Sequence, residues 1–148
     1  MQDLLIPSGH VEFQGDLEAL LHTISRIDGT LLDRQRFRCV FRSPKPANGI
    51  RFGSPKGLRL SFVFRCGYEA AEKGFRVSYR VYPSLLDQLL LAAPLVFAVA
   101  GIVRALTEGG GLVGLVLGLL LGVVIYPTSF LVRKNCIRRF LDAFEAKS

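Results

Sequence analysis

Hydrophobic positions along this chain follow three periods in turn. In "DLEALLHTISRIDG", Leu17, Leu20, Leu21, Ile24 and Ile27 recur at helical spacing, which predicts one amphipathic helix with Asp16 placed to cap its start and Gly29 its end. The period then becomes two. Phe37, Cys39 and Phe41 alternate with arginines in "RQRFRCVFR". Leu58, Leu60, Phe62, Phe64 and Cys66 share a face in "LRLSFVFRC", and Phe75, Val77, Tyr79 and Val81 share one in "FRVSYRVY". "GHVEFQG" adds a short leading strand. "SPKPANGIRFGSPKG" reads as a long loop and "GYEAAEKG" as a hairpin connection. These patterns predict an antiparallel sheet of three to four strands with one apolar face packed on the helix.

Past Tyr82 the alternation gives way to unbroken apolar runs. From Leu85 to Val103 and from Gly110 to Val132 the only formal charge is Asp87, and each run reaches the roughly 20 residues a helix needs to cross about 30 Å of hydrocarbon. A soluble protein would have to cover two such helices on every side, and a chain of 148 residues leaves too little sequence to do so. Ser84 and Asp87 match the S-x-x-D capping box, which accounts for the one acid at the first turn. Tyr82 and Tyr126 sit where interfacial aromatic anchors occur. Pro127 marks a kink near the end of the second run, after which Ile137, Phe140, Leu141 and Phe144 resume helical spacing in a tail that would dock on the cytoplasmic domain, the favoured reading because its phenylalanines need a partner, or lie along the membrane surface. The expected fold is therefore an α+β membrane protein. It has a cytoplasmic domain at 1–82, a transmembrane helical hairpin at 83–132 (spans 83–104 and 110–132) and a cytoplasmic amphipathic tail helix at 133–148.

Charge fixes an orientation for this arrangement. Of the 19 Lys and Arg, thirteen precede the first span, five follow the second, and Arg104 alone lies between. Basic flanks stay on the cytoplasmic side, so both termini are expected there, in a multi-pass protein of the cell membrane with "RALTEGG" as the external turn. "MQDLLIPSG" lacks the basic start and apolar length of a cleavable signal. Cys39, Cys66 and Cys136 form an odd set without C-x-x-C spacing, which suits buried free thiols on the reducing side and no metal site.

Two features invite a functional reading. In "GGGLVGLVLGLLLG", Gly110, Gly114, Gly118 and Gly122 fall four residues apart, although a glycine within a helix costs roughly 1 kcal/mol relative to alanine. In lipid such a row offers a groove for close backbone approach, and Pro94, Ala98, Gly101 and Ala105 supply a matching face on the first span. An intramolecular hairpin uses that groove; a homo-oligomer is the alternative.

The second feature is basic. By alternate counting, Arg34, Arg36, Arg38, Arg42, Arg59, Arg65, Arg76 and Arg80 point away from the apolar sheet face, with no acid on those strands. Such a face is either a solvated surface with arginine stems over apolar neighbours, or a reader of anions: acidic lipid, a phosphorylated ligand or an acidic protein partner. Nucleic acid is disfavoured, since little aromatic interleaving beyond Tyr82 and no nucleic-acid motif accompanies the arginines.

Catalytic patterns are missing from the sequence. His10 and His22 are its only histidines, "SGH" at 8–10 is too common a tripeptide to define a nucleophile and base, and no P-loop, G-x-S-x-G, H-E-x-x-H or G-x-G-x-x-G occurs. No cofactor is implied. The expected function is a non-enzymatic, membrane-tethered binding or regulatory module contacting anionic lipid or an acidic partner. A small oligomeric channel or holin-like protein assembled through the glycine row is the alternative.

Overall fold

A computed structural model describes residues 6–42 and 60–145. The chain divides into two compact units, one formed by residues up to Pro83 together with those from Lys134 onward, the other by Ser84–Arg133.

The first unit is α+β and carries a five-stranded antiparallel sheet, one strand more than the most the sequence predicts. Strand β1 (Ser8–Phe13) occupies one edge, helix α1 (Leu17–Arg26) follows, and β2 (Thr30–Asp33) occupies the other edge. The chain then returns as a meander through β3 (Arg36–Arg42), β4 (Ser61–Ala71) and β5 (Gly74–Pro83), giving the order β1-β5-β4-β3-β2. The additional strand is β2. Its Leu31 and Leu32 are consecutive and both exposed, so it carries no alternation to read; backbone pairing with β3 makes it a strand. A tight turn joins the two, with the Tyr68 hydroxyl donating to the Arg34 carbonyl and the Tyr68 amide donating to that of Gln35 (3.0 Å).

Two connections differ from the sequence reading. "GYEAAEKG" closes the expected hairpin, but most of it is strand: β4 continues to Ala71, and only Glu72 and Lys73 separate it from β5. Gly67 and the paired Ala70–Ala71 lack the β-branched side chains that would have advertised this extension. At the end of α1 the left-handed position belongs to Asp28 (φ 55°), not Gly29. Gly29 is needed for space, because a Cβ there would lie 2.5 Å from Ile24 Cγ2 and 2.8 Å from the Ile24 carbonyl oxygen. At the other end Asp16 caps as the sequence predicts, accepting from the Ala19 amide at 2.9 Å. The predicted long loop and the start of "LRLSFVFRC", including Leu58 and Arg59, lie outside the described residues.

One sheet face is the core. Phe13, Phe37, Cys39, Phe62, Phe64, Val77 and Val81 are essentially inaccessible, covered by Leu20 and Ile24 of α1 and by Phe140 and Phe144 near the end of the chain. The Phe140 ring stacks on Phe64 (centroids 4.7 Å apart) and meets Tyr79 at 5.1 Å and Phe144 at 4.9 Å, while Phe144 meets Phe13 edge-on at 6.2 Å. Cys136, one turn before Phe140, is buried on the same stripe. Arg139 and Arg26 fasten the segment, donating to the carbonyls of Arg42 (3.0 Å) and Ala143 (3.3 Å) respectively. Burial of a phenylalanine contributes about 1.5–3 kcal/mol, so these last residues complete the domain.

The second unit contains two helices long and apolar enough to cross a membrane. Helix α2 (Leu85–Glu108) begins at Ser84, whose hydroxyl accepts from the Asp87 amide and donates to the Asp87 carboxylate. It extends four residues beyond the predicted end and stops at Gly109, which adopts the left-handed conformation (φ 73°). The turn is thus Gly109–Gly111. Helix α3 (Leu112–Glu145) runs uninterrupted for 34 residues with Pro127 inside it, so the predicted tail helix is continuous with the second apolar helix. Near that proline the Thr128 hydroxyl donates to the Val124 carbonyl at 2.7 Å, a local bond that helps an apolar helix tolerate proline.

Candidate functional site

The antiparallel register sorts the outer face of the sheet into rows running across the strands. One row holds Arg38, Arg65 and Arg80, directly opposite one another on β3, β4 and β5 and flanked by Thr30 and Ser8 on the edge strands. All three arginines are exposed. With strands about 4.8 Å apart, three cations occupy roughly 10 Å. Among the described residues no carboxylate lies within ion-pair distance of any of them. Like charges directly opposed in a sheet oppose folding, so the row costs stability.

Neighbouring rows differ in character. Toward the β4–β5 hairpin comes Asp33–Arg36–Gly67–Ser78–His10, and after it Glu69–Arg76–Glu12, where Arg76 stands between two acids and pairs with Glu12 at 3.5 Å. The expectation that no acid shares these strands is overturned. Glu69 belongs to the unexpected extension of β4, and Glu12 joins the face through β1. Both acids continue the alternate count that exposes Arg65 and His10. In the opposite direction, toward the end of β5, come Val40–Val63–Tyr82 and then Arg42–Ser61. The Arg65 guanidinium lies over the Tyr82 ring, 5.1 Å from its centroid, which orients that cation without neutralising it.

The candidate arginines therefore divide. Arg38, Arg65 and Arg80 form the uncompensated row; Arg36 is one row away, registered between Asp33 and Gly67; Arg42 is at the strand end; Arg76 is compensated. Arg34 leaves the sheet face and occupies the β2–β3 turn, its amide bonded to the Asp33 carboxylate at 2.6 Å. Arg59 lies outside the described residues.

On the core side the Cys66 thiol is held protonated far above its ordinary range by a hydrogen bond with Cys39 and by burial. Burial also raises Tyr79, with Cys66 adding to it, and raises Cys136 against the opposing pull of Arg139. These groups are inert packing, with none of the thiolate character that nucleophilic cysteines need. Among the described residues no cluster of three or more His, Cys, Asp and Glu gathers to hold a metal.

The glycines of the second unit mark a helix–helix contact. A Cβ at Gly118 would lie 2.8 Å from the Ala98 nitrogen and the Pro94 carbonyl oxygen; one at Gly114 would lie 3.1 Å from Gly101 Cα; one at Gly101 would lie 2.5 Å from the Leu115 nitrogen. The tightest approach is at Gly111, where a Cβ would fall 1.8 Å from the Gly101 carbonyl oxygen. Gly110, expected in the row, has nothing within 4 Å, and Gly122 meets Tyr126 and Pro94 at ordinary contact distance. The three-glycine turn moves the start of the contact by one residue, which a strict four-residue count misses. No family model, curated protein or solved structure matches the chain.

Proposed function

We propose that this chain is a two-pass, membrane-tethered, non-enzymatic binding or regulatory module whose sheet face takes anionic groups, with both termini on the cytoplasmic side. The observation that carries this reading is the Arg38–Arg65–Arg80 row. Three opposed cations without a carboxylate in reach break the cross-strand charge rule, and such departures mark functional sites, where stability is given up for binding. Guanidinium groups at strand spacing offer paired N–H donors to phosphate or carboxylate oxygens. The channel-like alternative loses support, since Gly114 and Gly118 already pack against α2 of the same chain.

The test compares two variants of equal charge. The full chain in neutral detergent is eluted from heparin with salt, beside R38Q/R65Q/R80Q and a control, R34Q/K134Q/R138Q, which removes three exposed cations elsewhere. The row variant should elute at distinctly lower salt than the control. It should also melt no lower than wild type, because relief of each opposed pair returns roughly 0.2–1 kcal/mol. Equal elution of the two variants would show that only net charge matters and would reject the reading.

A further inference from the structure

The two edges of the sheet are built differently. β2 is four residues long and its pairing with β3 shifts register between Leu31 and Asp33; a short, bulged strand is one way a protein keeps an edge from recruiting another chain. β1 has neither feature. It pairs with β5 over six consecutive residues without a shift, and its Ser8, His10 and Glu12 are exposed.

The alternation of an antiparallel ladder tells which backbone groups of β1 are unused. Val81 donates its amide to the Pro7 carbonyl at 3.0 Å, so Pro7, and with it Gly9, Val11 and Phe13, turn their backbone polar groups toward β5. Ser8, His10 and Glu12 turn theirs the other way. Among the described residues no backbone bond reaches those outward groups. Evenly spaced donors and acceptors of this kind are a template for one more strand.

Charge selects the strand that fits. On the outer face the Arg38–Arg65–Arg80 row ends at Ser8, the row holding Asp33 and Arg36 ends at His10, and the row holding Glu69 and Arg76 ends at Glu12. When a second β1 runs antiparallel to the first with His10 opposite His10, Ser8 of each copy faces Glu12 of the other. The uncompensated arginine row of one copy then continues into the row of the other that carries two acids. Glu12 of the second copy stands two strand spacings, about 10 Å, from Arg80, and only a serine side chain lies between, so the two long side chains can meet above it. Sliding the strands until Ser8 faces Ser8 sets arginine row against arginine row, and sliding them the other way sets Glu12 directly against Glu12; both are opposed by like charge. The intermediate registers put no acid directly beyond the arginine row.

We infer that β1 pairs with β1 of a second copy of this chain in the His10-to-His10 register, joining two five-stranded sheets into one and bringing Arg80 of each copy to Glu12 of the other. Each opposed pair of outward residues exchanges two backbone hydrogen bonds. The pairing stands apart from the anion-binding reading above, since Arg65 and Arg38 lie one and two strands farther from the junction.

The experiment uses the full chain in mild detergent with single cysteines placed on β1; the native Cys39, Cys66 and Cys136 are buried. Opposed residues that exchange hydrogen bonds have Cα atoms about 5.5 Å apart, within the span of a disulfide, whereas the two copies of position 8, or of position 12, lie about 14 Å apart along the strands. Oxidised with copper phenanthroline, H10C should cross-link to a dimer, S8C and E12C should each stay monomeric alone, and a mixture of S8C with E12C should cross-link. By light scattering the wild type should have the mass of a dimer. H10P removes an amide that β5 does not use, and it should give a monomer with the circular dichroism of the folded chain. E12Q should raise the dimer dissociation constant roughly two- to thirtyfold through two symmetric contacts, while E72Q, which removes the same charge from the β4–β5 turn, should leave it unchanged. A monomeric wild type with no H10C cross-link would overturn the inference. Cross-linking of S8C or E12C alone would overturn the register and the charge argument with it, and a dimer that persists in H10P would put the interface elsewhere in the molecule and overturn the strand pairing.

Discussion

At the scale of single residues, the core is tuned to stay neutral. Cys66, Cys136 and Tyr79 all sit above their ordinary values, 9.0 for the thiols and 10.0 for the phenol, so the folded domain holds protons that an unfolded chain releases. The native state binds more protons wherever the unfolded groups have begun to ionise, so stability is fully present below about pH 9 and falls as pH rises beyond it. Cys66, whose shift is by far the largest, contributes a slope of up to about 1.4 kcal/mol per pH unit in that window. Replacing Cys66 by valine removes one such group. Thermal melts of the full chain across the alkaline range should show C66V losing less stability per pH unit than wild type while the two curves stay parallel near neutrality. Identical alkaline slopes would mean that the thiol ionises as readily folded as unfolded.

Among the elements, the apolar hairpin depends on glycines that leave no room for a side chain. G118I places a branched side chain where even a Cβ would meet backbone at 2.8 Å, and it should destabilise the detergent-solubilised protein by about 1–3 kcal/mol or more. G110A, facing open space, should be neutral. A thermal-shift measurement in which the two variants melt together would remove the packing role. The same comparison shows what a sequence can carry. α1 was legible from Leu20 and Ile24, the central strands from Phe37, Phe64 and Val77, and the two apolar helices from length and hydropathy, because in each case burial imposes a period on side chains. β2 was not legible, because its leucines face solvent and its hydrogen bonds go through the backbone. The arginine face could be counted from single strands. Its division into a compensated and an uncompensated row required the register, which sets Arg76 between Glu69 and Glu12 but leaves Arg65 between Arg38 and Arg80.

For the whole molecule, the distribution of charge around α2 and α3 predicts an orientation that experiment can test. The turn Gly109–Gly111 follows a helix end bearing the Arg104–Glu108 ion pair (2.9 Å), and one Lys or Arg in this stretch stands against thirteen before the first span and five after the second. Lys and Arg resist translocation, so the turn is the part expected to face outward. Because all three native cysteines are buried, introduced thiols report without background. T107C, exposed near the end of α2, and D142C, exposed on the polar side of the last turns of α3, mark the two sides. In sealed cells an impermeant maleimide should label T107C at once and D142C only after the membrane is opened. The opposite pattern would invert the topology and place the arginine row outside. Equal labelling of both before permeabilisation would contradict a two-pass insertion with T107C and D142C on opposite sides.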